Sequence, residues 1–292
     1  MNYLKFLITI ICLFSFFVTK LSIAECLSDK KITDILKSSP HSPIEGINEN
    51  ITLEEAYCSQ EKYVEFWKQQ SQYSDAVIGY KVGFTGKATQ EIFKINTPAT
   101  GVLFNSMFLK NGSEISKNFG HRTLIEPDLL VIVKSSKIMK STTKLEAAKY
   151  LDTIHPFMEL PALQIKKGEA ITGPVIVAIN MLATKMVMGP GITIQANQAF
   201  VNALETMETI FTDETGNIIQ NSPGSTLLGN PLNVVLWLIK EFNQRGITLK
   251  AGDRISLGSV GKLFPLKESN KEYTYTLEGL PGGPSSTSIF IK

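Results

Sequence analysis

"HRTLIEPDLLVIV", residues 121–133, sets Glu126 and Asp128 two positions apart at the head of an apolar run. The run reads as a strand, and on a strand residues two apart share a face. Glu126 and Asp128 therefore point together while Ile125 and Leu129 point the other way. Pro127 between them brings no ladder donor, which predicts an edge or a break where the pair meets an open cavity. Burying a carboxylate is costly unless something neutralises it. Glu159 in "FMELPAL" is a third acid inside an apolar strand. A carboxylate-dominated donor set without thiolate or imidazole suits magnesium, calcium or manganese. Three acids that face water, or that pair with Arg122 and neighbouring lysines, satisfy the same spacing.

"AVIGYKVGF", residues 76–84, alternates as a second strand. Gly79, Lys81 and Gly83 share one of its faces, so Lys81 stands with no side chain on either side. Such a flat strip beside an ammonium admits an anionic ligand close to the backbone. A solvated lysine on a half-exposed strand is the alternative.

Residues 28–38 and 53–70 carry helical spacing, the second opening with Thr52 as cap and Glu55 completing the box. "KLEAAKYLDTI" reads as a helix and "FMELPALQI" as a strand, with β-rich segments around 175–179, 185–189 and 204–220. "NPLNVVLWLIKEFNQRG" has Asn230 as cap, Pro231 in the first turn and Gly246 as stop, which predicts a helix packed on the sheet with Trp237 buried. "LKAGDRISLGSV" and "EYTYTLEGL" read as closing strands. No repeat or long linker divides the chain, so one mixed α/β domain is expected, with a helical cap over 25–75 and a core over 76–292.

The first 24 residues read as a secretory signal. Lys5 precedes the apolar stretch Phe6–Val18, and Ser22 and Ala24 are small residues before a cut. An N-terminal membrane anchor is the competing reading, although that core is short beside the roughly 20 residues needed to span a bilayer. Export with removal leaves no stable membrane anchor. Of 29 Lys and Arg, Lys5 and Lys20 leave with the signal, so 27 basic residues face 27 acidic ones. That neutrality argues against a nucleic-acid or anionic-membrane partner. Cys26 and Cys58 enter an oxidising compartment, where they form a disulfide or remain two buried thiols.

Taken in order, "GYKVGFT", "TPATGVLF", "IEPDLLVIV", "FMELPAL" and "NPLNVVLWLIKEF...GITLKAGDRISLGSVG" resemble the 2-keto-4-pentenoate hydratase branch of the fumarylacetoacetate hydrolase superfamily. The resemblance covers essentially the whole mature chain. It implies a curved, barrel-like sheet with outer helices. It also implies a magnesium or manganese ion on the positions matching the family's E-x-E pair and later glutamate, which are Glu126, Asp128 and Glu159. Lys81 matches the lysine of the "KVG" segment at the substrate site, where a pKa lowered by burial and a nearby cation would suit proton transfer. Asn180 in "VAINML" matches the "DNAS" asparagine, and Ser259 stands in for a serine displaced by Leu257; both are expected to bind substrate. Three departures accompany these matches: Asp128 has a shorter arm than glutamate, Ala99 replaces an acid, and Asn230 replaces a histidine. The implied partner is a small 2-oxo acid, enolised with help from the metal and then hydrated, decarboxylated or cleaved. A binding protein that has lost the reaction is the other class. Oligomeric state is left open, a homo-oligomer included.

Overall fold

The computed structural model describes residues 25–70 and 75–292; the stretch expected to be a secretory signal, residues 1–24, lies outside them. In chain order the elements are α1 (Asp29–Ser38), α2 (Leu53–Gln70), β1 (Val77–Gly83), α3 (Lys87–Ile92), β2 (Ala99–Phe104), β3 (Phe108–Leu109), β4 (Ser113–Ile115) and β5 (Leu124–Val133). They continue with α4 (Lys144–Ala148), β6 (Leu151–Leu160), α5 (Gly173–Ala178), β7 (Lys185–Met188), β8 (Ile192–Thr193), α6 (Gln198–Thr206), β9 (Glu208–Asp213) and β10 (Ile218–Pro223). The chain closes with α7 (Pro231–Arg245), β11 (Arg254–Ser259), β12 (Phe264–Pro265), β13 (Lys271–Glu278) and β14 (Ser285–Ile291).

One sheet runs β2-β1-β11-β5-β6-β7-β3, with β12 on β5 and β8 on β6; a second runs β10-β9-β13-β14-β4. Most pairings are antiparallel. The parallel ones are β1 with β11, β3 with β7 and β14 with β4. This is the mixed α/β fold with a curled sheet that the motifs predict. The main core includes Ile125, Leu129 and Val131 of β5, Ile154 and Met158 of β6, Tyr275 and Leu277 of β13 and the buried side of α7. The opposite face of β5 and β6 contributes Leu130 and Phe157 to a smaller cluster with Leu103 and Phe104. Helices α1, α2 and α5 share a third cluster with Phe84 and Ala99, so the N-terminal helices pack directly on the end of β1. Among the described residues no helix is long and apolar enough to cross a membrane.

Local signals explain the main elements. Thr52 and Glu55 exchange the two bonds of a capping box at the start of α2. Asn230 accepts from Leu232 N at 3.0 Å to open α7, and Gly246, at φ 69°, closes it. Cys26 and Cys58 are joined, with Cα atoms 5.4 Å apart.

Several expectations are corrected. Residues 173–178 form α5, not a strand: Thr172 accepts from Val175 N and Pro174 sits in the first turn, so capping overrides the β-branched run. "KLEAAKYLDTI" is helical only to Ala148, and its tail "LDTI" already belongs to β6. The 204–220 segment is the end of α6 followed by the hairpin β9–β10. Trp237 is half-buried, because Val234, Val235, Leu238, Ile239 and Phe242 take the inward stripe of α7. Pro127 does not lie at an edge, since β5 is paired on both sides by β11 and β6. Its carbonyl accepts from Val260 N at 2.8 Å, so its missing donor faces β11, where the register shifts between Ser256 and Ser259. The break predicted from Pro127 is this bulge on the neighbouring strand.

The parallel contact of β1 with β11 depends on Gly79. A Cβ there would sit 1.9 Å from the Arg254 carbonyl oxygen, which is backbone and has nowhere to go. Gly79→Ala is expected to lose about 3 kcal/mol or more, because overpacking against main chain is relieved only by moving a central strand. Gly216→Ala has nothing within 4 Å of its added carbon, so only its φ of 83° is strained. Urea unfolding of both variants checks the order.

Candidate active site

Four consecutive strands of the large sheet, β1, β11, β5 and β6, each place one polar side chain on the same face: Lys81, Ser256, Asp128 and Glu159. Their exposures are 5%, 0%, 1% and 2%. On a flat sheet β1 and β6 would stand roughly 14 Å apart. The Lys81 ammonium nevertheless pairs directly with Glu159 Oε2. The sheet must therefore curl toward this face, which makes it the concave one.

Ser256 bridges the two acids. Its Oγ lies 2.6 Å from Asp128 Oδ2 and 2.8 Å from Glu159 Oε1. A hydroxyl carries one proton and cannot donate fully to both. The network is satisfied when a protonated Asp128 donates to Ser256, Ser256 donates to Glu159, and Lys81 donates to the other Glu159 oxygen. Asp128 Oδ1 also accepts from Leu257 N at 3.2 Å and from Leu129 N. Burial, with Glu159 nearby, pushes the Asp128 carboxyl well above the ordinary carboxylate range. Glu126 is half-buried, opposite Glu159 in the β5–β6 register. Burial raises its carboxyl to about 7, against the lowering pull of Lys81.

For Lys81 the lowering expected from burial and a nearby cation meets an opposing pull from the acids. Burial does pull it down, but the charges of Glu159, Glu126 and Asp128 outweigh that, and its ammonium is held above the usual lysine value. The expected bare strip beside Lys81 is also corrected. The space over Gly79 is taken by the Arg254 backbone, and the space over Gly83 by the Met181 side chain.

The three acids supply an oxygen-only donor set, and once ionised they would carry more negative charge than one ammonium balances, which a hard divalent cation would offset. The donor chemistry fits magnesium or manganese. As they stand, the side chains are turned to Ser256 and Lys81. Among the described residues no three His, Cys, Asp or Glu side chains are grouped closely enough to hold an ion.

Two residues expected to bind substrate spend their polar groups on main chain. Asn180 spends its amide on Val102, accepting from its N at 2.7 Å and donating to its O at 2.9 Å. Ser259 donates to Gly261 O at 3.3 Å, past the bulge. The serine that joins the cluster is Ser256, paired with Lys81 across β1 and β11. Period-2 alternation of "RISLGS" would have found it once Lys81 was placed, because neighbours 256 and 257 face opposite ways. Ala99 is buried in β2, and Asn230 caps α7 while donating to Val201 O at 2.9 Å. Clefts of about 470 Å³ beside Arg245 and about 550 Å³ beside Gln90 are lined by neither Lys81 nor the three acids.

No protein-family model matches the chain. Among curated proteins, a 2-keto-4-pentenoate hydratase of Paraburkholderia xenovorans is 20% identical over 233 residues, 78% of this chain and 81% of its own length. A 2-hydroxyhexa-2,4-dienoate hydratase of Comamonas testosteroni is 24% identical over 243 residues, covering 82% and 88%. Among solved structures, the 4-oxalocrotonate decarboxylase of Pseudomonas putida G7, complexed with magnesium and adipate, superposes with a TM-score of 0.78. That match has 20% identity and covers 92% of this chain and all of the other. The same enzyme with calcium and acetate gives 0.76 at 19% identity. The fold is that of the fumarylacetoacetate hydrolase superfamily, and the likeness in sequence falls in its 2-keto-4-pentenoate hydratase branch, as the ordered motifs predict.

Proposed function

We propose that the chain is a metal-dependent lyase that takes a small 2-oxo acid through its enolate, acting as a hydro-lyase on a 2-oxo-4-enoate. The supporting observation is the buried line of Lys81, Ser256, Asp128 and Glu159 on the concave face, in a chain whose curated relatives are named hydratases. Glu126, Asp128 and Glu159 would hold a magnesium or manganese ion, which when bound supplies positive charge to the carboxylate and 2-oxo oxygens of the acid. Lys81 presents a proton at Nζ, with which it either clamps the substrate carboxylate or returns a proton to C3 of the enolate. Ser256 fixes the carboxyl arms of Asp128 and Glu159 relative to each other. Decarboxylation of a related acid draws on the same enolate, and the similar structure is named a decarboxylase. The near-complete burial of Lys81, Asp128 and Glu159 favours a second reading, a small-acid-binding protein without turnover.

Enolisation precedes either reaction, so manganese-loaded protein should exchange the C3 protons of 2-oxopentanoate in deuterated buffer. Lys81→Ala should lose about 10²–10⁴-fold of that exchange, the usual contribution of an acid/base group. Proton NMR reads it without the physiological substrate. Tight oxalate binding with no exchange across several 2-oxo acids moves the conclusion to the binding protein.

Glu159→Gln should weaken manganese binding by at least about tenfold, since it removes one anionic ligand of three. Calorimetry decides, and an unchanged affinity takes Glu159 out of the metal site.

The chain is further proposed to be exported and freed of residues 1–24, and to carry Cys26–Cys58 as a disulfide closing a 32-residue separation. Replacing both cysteines by serine should lower stability by about 3 kcal/mol. Non-reducing mass spectrometry of protein from the exported fraction should find the linked peptides; two free thiols there end the idea.

A further inference from the structure

Asn180, Met181 and Leu182 take φ of 57°, 55° and 56°, and all three are buried. For non-glycine residues the left-handed region costs about 1–2 kcal/mol each, and a run of three persists only where the surroundings fix it. Asn180 does the fixing. Its amide takes both the N–H and the carbonyl of Val102 in β2, at 2.7 and 2.9 Å, and ties the turn to the strand beside β1.

The consequence is the placement of Met181. Lys81 on β1 pairs with Gly101 on β2, and Gly83 lies two residues further along. A Cβ at Gly83 would meet Met181 Cε at 2.4 Å. One at Gly101 would meet Met181 Cβ at 2.8 Å and Lys81 Cγ at 3.0 Å. The two glycines form a trough along the stem of Lys81, and the thioether of Met181 fills it.

We propose that Met181 is a specificity-determining plug: it closes the trough beside Lys81 and limits the chain length of the acid that reaches the cluster. The chain-length part rests on the 2-oxo acid reading above; the plug does not. A flexible unbranched thioether suits this role, because it fills an irregular gap and can still change rotamer.

Met181→Gly is the informative variant. Glycine is at home at φ 55°, so the substitution relieves strain while it empties the trough. Met181→Leu keeps the bulk and serves as control, and Met181→Ala replaces the glycine variant if that fails to fold. Lys81 is labelled by reductive methylation and quantified by mass spectrometry against Lys30, whose side chain is 85% exposed. Labelling of Lys81 is expected to rise several-fold in Met181→Gly and to stay at the parent level in Met181→Leu. Protection by a series from pyruvate to 2-oxohexanoate is then ranked, and the best protector is expected to be longer for Met181→Gly than for the parent. Unchanged Lys81 labelling in folded Met181→Gly overturns the plug, whichever acids bind. A rise in labelling with the same ranking in both proteins overturns the chain-length role. If labelling rises and no acid protects either protein, the plug stands and the 2-oxo acid reading falls.

Discussion

The pairing of Lys81 with Glu159 is the constraint on which the rest of the site depends. Both groups are almost wholly buried, and removing one partner of such a pair is typically destabilising by about 3–5 kcal/mol. Their strands are separated by two others, so the pair forms only if the sheet is curled. The curl in turn needs β1 pressed closely against β11, which Gly79 permits, and a relaxed ladder where β11 meets β5, which the bulge at Leu257 and Gly258 provides. Gly258 takes φ 101° and would crowd Thr85 if it carried a side chain, so its identity is fixed from two directions. Charge, curvature and glycine placement are a single requirement seen at three scales.

The excess of acid over base around that pair is what gives the site chemical potential. One ammonium faces three carboxyls, and burial drives Asp128 and Glu126 toward their protonated forms. A neutral chain of hydrogen bonds through Ser256 is the result when nothing else is present. The same groups offer oxygen ligands when a cation competes for them, because ligating carboxylates release their protons on binding.

Much of this was legible in the sequence, for physical reasons. Period-2 alternation located β1 and β5 and put Glu126 and Asp128 on one face, and capping chemistry located α2 and α7. Ordered motifs identified the superfamily's fold, which no single segment could. Features set by tertiary contact were not legible. "GPVIVAIN" carries the β-branched run Val175–Val177, and its helix is decided by Thr172 and by burial among α1 and α2. Ser259 was read as the substitute for the displaced serine at Leu257, whereas register with Lys81 puts Ser256 in the cluster. The glycines beside Lys81 signalled close approach correctly, but what approaches is main chain at Gly79 and Met181 at Gly83, from segments more than 90 residues downstream.

The left-handed triplet at Asn180–Leu182 sets backbone against side chain at one residue. Glycine at position 181 would relax the φ of 55° but would empty a buried place in the cluster shared by α1, α2 and α5. Methionine keeps that place filled and accepts the backbone strain in return.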